Sequence, residues 1–183
     1  MISLMLVDIS NMANNIPEQK AVFFDRDGTL NVEKNYLYKI QDFQWLPEAK
    51  EAIAYCHQLG YLVLVVTNQS GVARGYYQEE DIQKLHQWMG EQFPQGQGID
   101  GFYYCPHHPQ GTVPAYTQEC NCRKPKPGMI LAACEQWHIN PQASLMVGDK
   151  PRDIASGLAA GVPGVLYEGG SLLQLLKEHL PRA

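Results

Sequence analysis

Five short apolar runs punctuate this sequence, at 21–24, 62–66, 101–104, 144–147 and 164–167. Longer stretches separate them, and most of these carry helical spacing. Residues 47–59 place Ala49, Ile53, Ala54 and Leu59 on one side, and Gly60 ends the pattern. Residues 78–93, 127–137, 154–160 and 172–179 read as four further helices, the second opening on a proline. Strands that are apolar without alternation are buried on both faces, which requires a mainly parallel sheet covered by helices on either side. The expected fold is therefore α/β and doubly wound. Such sheets bind ligands beyond the carboxyl ends of their strands. Asp25, Thr67 and Asp149 each stand just past an apolar run.

The length, 183 residues, suits one domain. Residues 1–20 read as an N-terminal extension and a candidate for disorder, with Met12 as a possible alternative start, ahead of a single domain over 21–183. The apolar stretch 1–9 lacks a basic start and carries Asp8, so it does not read as a signal peptide, and a cytoplasmic location is expected. A net charge of -5 excludes a general basic field for nucleic acid. No apolar run approaches the ~20 residues that span a bilayer. A monomer acting on a small molecule is expected.

Four segments carry the chemistry. DRDGTL, at 25–30, sets Asp25 and Asp27 two positions apart at a strand exit, so that both carboxylates can face one pocket, and Gly28 lets the chain turn. TNQSG, at 67–71, offers a hydroxyl and an amide to an anion. RKPKPG groups Arg123, Lys124 and Lys126 between prolines that restrain the backbone. GDKPRD supplies Asp149 and Asp153, and Asp149 facing Asp25 would form a hard oxygen site suited to Mg²⁺. Acids, a hydroxyl, a cation and a metal-binding carboxylate at parallel strand ends describe a phosphoryl-transfer site.

The long irregular segment 105–126 holds a second metal pattern. Cys105-Pro-His107 and Cys120-Asn-Cys122 offer three thiols and an imidazole, a closed tetrahedral set for structural Zn²⁺. His108 is the rival to His107, and free thiols in a loop are the plain alternative. Cys56 and Cys134 fall in helical patterns and read as core residues. A metal here would order the loop and hold Arg123 and Lys124 over the pocket.

The four segments in this order resemble the signature of the haloacid dehalogenase-like phosphatases, from Ala21 to about Tyr167. That resemblance implies Asp25 as nucleophile, Asp27 as acid and base, Thr67 as the phosphate-binding hydroxyl, Lys124 as the lysine of the Lys-Pro-x-Pro setting, and Asp149 as metal ligand. It implies Mg²⁺ held by Asp25, Asp149 and the backbone carbonyl of Asp27, with Asp153 orienting the site. The gaps between segments leave no room for a cap domain. TNQSGVARG and CPHHPQG are similar to the heptose bisphosphate phosphatase branch, which removes the 7-phosphate of D-glycero-D-manno-heptose 1,7-bisphosphate in the synthesis of lipopolysaccharide or S-layer glycan precursors. The alternatives are a histidinol phosphatase and a non-catalytic zinc-stabilised binding module. By the same resemblance Glu33, Lys34, Asn35, Tyr36, Thr67, Asn68, Gln69, Ser70 and Lys150 border the substrate, although Lys150 also fits a solvated charge beside Asp149. Arg123, with its planar fork, is suited to a second phosphate; its plain alternative is a surface arginine.

Overall fold

The computed structural model of the chain describes residues 18–181. The extension at 1–17, including the alternative start, lies outside the described residues. Gln19 is ordered: its N–H donates to His138 O at 2.9 Å and its carbonyl accepts from Asn140 N at 2.8 Å.

Five strands form one parallel sheet: β1 (Ala21–Phe24), β2 (Leu62–Asn68), β3 (Gly101–Cys105), β4 (Leu145–Gly148) and β5 (Gly164–Leu166), in the order β3-β2-β1-β4-β5. The helices are α1 (Ala49–Gln58), α2 (Glu79–Glu91), α3 (Gly128–Trp137), α4 (Pro151–Ala159) and α5 (Leu172–His179). The doubly wound α/β expectation holds, and the side chains show how. Val22, Phe24, Val63, Val65 and Val147 point to one face, beneath Ile53 and Cys56 of α1 and Leu172 and Leu176 of α5. Ala21, Phe23, Leu64, Val66 and Met146 point to the other, beneath Ile130 and Ala133 of α3. Each run is continuously apolar because successive side chains alternate between two buried faces. The helix α2 packs Leu85 and Met89 on the first face near Phe102.

Most element ends shift by one or two residues from the sequence reading, and two of the differences bear on the site. The strand β2 continues through Thr67 and Asn68, which pair with Tyr104 and Cys105, so Thr67 lies within the strand rather than past it. The helix α4 begins at Pro151, three residues earlier than expected. Proline suits a first helical position, and Asp153 Oδ2 accepts the Lys150 N–H at 3.0 Å, capping the first turn. The strand order reverses at β1, between β2 and β4, which opens a crevice beyond their carboxyl ends.

Candidate active site

Asp25 follows β1 directly. Its N–H donates to Val147 O at 2.9 Å, extending the β1–β4 ladder by one residue and fixing the carboxylate over the switch point. The residue is 5% exposed. Lys124, 3% exposed, reaches it from the end of the long loop. Lys124 Nζ donates to Asp25 Oδ1 at 2.7 Å and to Val66 O at 2.8 Å, and lies 2.8 Å from Asp153 Oδ1. That last contact lacks hydrogen-bond alignment and is ionic. The Lys124 backbone is clasped by Asn68, whose Oδ1 accepts from Lys124 N at 3.0 Å and whose Nδ2 donates to Lys124 O at 3.1 Å. Lys126 instead faces solvent and Glu119.

Asp25, Asp149 and Asp153 each present an oxygen within 4.8 Å of the others. Three carboxylates gather around one buried ammonium, with Lys150 reaching Asp149 from the exposed side, which leaves a net negative charge that a cation can neutralise. Asp149 Oδ1 is buried with no partner. An orphaned carboxylate oxygen in an all-oxygen set fits Mg²⁺. Asp149 Oδ2 accepts from Lys150 Nζ at 2.8 Å, and Lys150 is otherwise half exposed. Asp153 is fully buried, with one oxygen capping α4 and the other against Lys124, which suits an orienting part. Gly28, at φ +86°, brings the backbone so close that a Cβ would lie 2.5 Å from Asp149 Oδ2. Burial raises the Asp25 carboxyl to about 6, Lys124 opposing and Asp153 and Asp27 adding to the rise.

Asp27 stands in the wall of a neighbouring cavity of about 260 Å³. Glu33, Asn35, Tyr36, Asn68, Gln69, Ser70 and Arg123, all expected to border the substrate, line it, but Lys34 does not. Lys34 Nζ turns away to Asp42 O at 2.7 Å. Lys150 likewise stays with Asp149, outside this wall. Thr67 is buried, and its hydroxyl oxygen accepts from Gln69 Nε2 at 2.9 Å. Asn35 and Tyr36 adopt φ of 48° and 62°, an uncommon turn that stands the rim over the cavity. Sequence reasoning missed Arg74 and Arg152, which join Arg123 in the wall. Arg152 lies in the first turn of α4, which the sequence reading left outside the helix. Arg74 sits in the turn after β2 and had no spacing signal of its own.

The long loop folds back on this wall, with Thr112 N and Val113 N both donating to Ala73 O at 2.7 and 3.0 Å. Cys105, His107, Cys120 and Cys122 converge. The sulfurs lie 3.1–3.5 Å apart, and His107 Nδ1 is 3.8 Å from Cys105 Sγ and 3.5 Å from Cys122 Sγ. This donor set can hold a soft or borderline cation such as Zn²⁺. His108 points away from it: its Nδ1 accepts from Gln110 N at 3.0 Å, and its Nε2 lies 3.4 Å from Arg74 Nη2.

A buried aspartate at the switch point of a parallel sheet, paired to a buried lysine and flanked by carboxylates that could hold a metal, is an arrangement suited to a phosphoryl-transfer hydrolase. The HAD-hydrolase-like family model matches residues 121–181, the part that carries Lys124, Asp149 and Asp153. The D-glycero-β-D-manno-heptose-1,7-bisphosphate 7-phosphatase of Pasteurella multocida is 46% identical over 145 residues, 79% of this chain and 78% of its own. The enzyme of that name from Escherichia coli K12 is 44% identical over 152 residues, 82% and 78% of the two chains. The crystal structure of D,D-heptose 1,7-bisphosphate phosphatase from B. bronchiseptica, complexed with magnesium and phosphate, matches at a TM-score of 0.72 and 31% identity, covering 89% of each chain. The chain belongs to the haloacid dehalogenase-like phosphatases, in the heptose bisphosphate phosphatase branch.

Proposed function

We propose that this protein is a Mg²⁺-dependent phosphatase that removes the 7-phosphate of D-glycero-β-D-manno-heptose 1,7-bisphosphate in the cytoplasm. The product would feed nucleotide-activated heptose and lipopolysaccharide core precursors. The observation that carries this reading is the contact of Lys124 Nζ with Asp25 at 2.7 Å beside Asp149, next to a cavity walled by three arginines. The β-anomer follows the names of the curated relatives.

The residues divide the work. Asp25, Asp149 and the backbone carbonyl of Asp27 would hold Mg²⁺, which when bound supplies positive charge to the phosphoryl oxygens. Lys124 offsets the repulsion between the Asp25 carboxylate and a phosphate dianion. The Thr67 hydroxyl donates to a phosphoryl oxygen while its own oxygen is held by Gln69. Asp25 attacks phosphorus, the bond to the sugar oxygen breaks, and the aspartyl phosphate forms. Asp27 gives its proton to the leaving oxygen and takes one back from the water that hydrolyses the acyl phosphate. Arg123, Arg74 and Arg152 would hold the distant 1-phosphate. The same three guanidiniums disfavour histidinol phosphate, which carries an ammonium group. Cys105, His107, Cys120 and Cys122 would hold a structural Zn²⁺ that fixes the loop leading into Arg123 and Lys124.

Phosphate release from both anomers of the bisphosphate and from histidinol phosphate, with and without Mg²⁺, tests the reading. Magnesium-dependent turnover that is fastest on the bisphosphate is expected. Faster turnover of histidinol phosphate, or none on any of these substrates, would overturn it.

A further inference from the structure

Arg26 lies between the two aspartates of the first motif, yet it is the largest fully buried side chain among the described residues. A buried guanidinium is costly and adds little stability even when paired, so its place asks for another use. Its contacts all converge on Asp27 or on what braces it. Nη2 donates to Asp27 Oδ2 at 2.9 Å and Oδ1 at 3.1 Å, and Nε donates to Oδ1 at 3.2 Å. At its far end Nη2 donates to Leu37 O at 2.8 Å, and Nη1 meets His86 Nε2 at 3.3 Å. His86 is itself buried and stacked on Phe102 at 4.5 Å. Burial, and then the charge of Arg26, hold the His86 imidazole well below its usual range, which leaves Nε2 a lone pair to accept with. Two further donors complete the cradle: Asn31 Nδ2 to Asp27 Oδ1 at 3.0 Å and Gln69 Nε2 to Oδ2 at 2.9 Å. Tyr77 donates to Gln69 Oε1 at 2.7 Å and so fixes which end of that amide faces Asp27.

We infer that Arg26, braced by His86, is a positioning residue that holds the Asp27 carboxyl in line with the leaving oxygen of the substrate. This rests on the reading of Asp27 as acid and base. In the first step the phosphorus–oxygen bond breaks, its electron pair goes to the sugar oxygen, and that oxygen takes the Asp27 proton. A sugar alkoxide is a poor leaving group and needs the proton. A p-nitrophenolate leaves without one. The value of kcat/KM covers binding and this first step and excludes hydrolysis of the aspartyl phosphate, so a misplaced Asp27 should cost the sugar phosphate far more than the aryl phosphate.

The test measures kcat/KM on heptose 1,7-bisphosphate and on p-nitrophenyl phosphate for the parent, Arg26→Lys and His86→Phe, each with bound Mg²⁺. A lysine keeps the charge but cannot fork across two oxygens. For Arg26→Lys the expected loss is about 10- to 100-fold on the bisphosphate, with KM within about threefold of the parent, and about threefold or less on the aryl phosphate. His86→Phe keeps the stacking ring and removes the brace, and the same split is expected at about three- to tenfold. It also serves as the readout if Arg26→Lys does not fold. Equal losses on both substrates, or no loss on either, would overturn the positioning role. A parent inactive on the bisphosphate would instead overturn the functional reading beneath it.

Discussion

Replacing Asp25 with asparagine should make the metal-free protein more stable while abolishing its turnover, and the gain should depend on pH. Asp25 is 5% exposed and shares its surroundings with Asp149 and Asp153. Burial, against the pull of Lys124 and with the push of Asp153 and Asp27, raises its carboxyl from 3.8 to about 6. Between those two values the folded chain binds more protons than the unfolded chain, so stability falls as pH rises through the window and levels off above it. That rise of the carboxyl corresponds to about 3 kcal/mol. An asparagine side chain carries no such charge at any pH in this range. Asp25→Asn should therefore match the parent near pH 4 and exceed it by up to about 3 kcal/mol above pH 7, or about 6–10 °C in Tm for a chain of this size. Thermal melts of both proteins across pH 4–8, without added divalent cation, measure the difference, and titrating groups remote from Asp25 cancel in the comparison. Saturating Mg²⁺ should close much of the gap by stabilising the parent alone. A gap that does not change with pH, or a variant less stable than the parent at pH 8, would refute the reasoning.

Lys124→Met leaves Asp25 and Asp153 buried against each other without a cation, and should cost about 3–5 kcal/mol in denaturant unfolding along with all turnover; a loss below about 1 kcal/mol would contradict the buried-pair account. Gly28→Ala, with a Cβ 2.5 Å from Asp149 Oδ2 at φ +86°, should weaken Mg²⁺ binding by about tenfold or more in calorimetric titration. Metal analysis should find one zinc per chain, and Cys120→Ser should lose it and lower Tm. Zinc retained in full by that variant would remove Cys120 from the site.

The parts of the site that follow a strand were legible because topology dictates them. Asp25 and Asp149 could be placed at one rim from apolar runs alone, with Thr67 at the end of a third run, whereas Lys124 was singled out from Lys126 only by the family resemblance. The sequence could not say that β2 would extend two residues further, since that extension depends on pairing with Tyr104 and Cys105. It also hid the start of α4, because the cap comes from Asp153 reaching back to a lysine rather than from a serine or threonine. Arg26 reads as a spacer between two aspartates. Only the folded chain shows it buried against His86, sixty positions away. Lys34 shows the reverse: a charge between wall residues whose backbone sends its side chain to Asp42.

The cavity wall and the carboxylates proposed to react differ in what supports them. Asp25 is tied into the ladder between β1 and β4, whereas Asn35, Tyr36, Arg74, His108 and Arg123 all project from connections between strands and helices. Substitutions in those connections can reshape which sugar is accepted while the phosphorus chemistry stays anchored to the sheet. New specificities in this lineage should therefore arise by exchange of residues in those connections, with the aspartates at the strand ends unchanged.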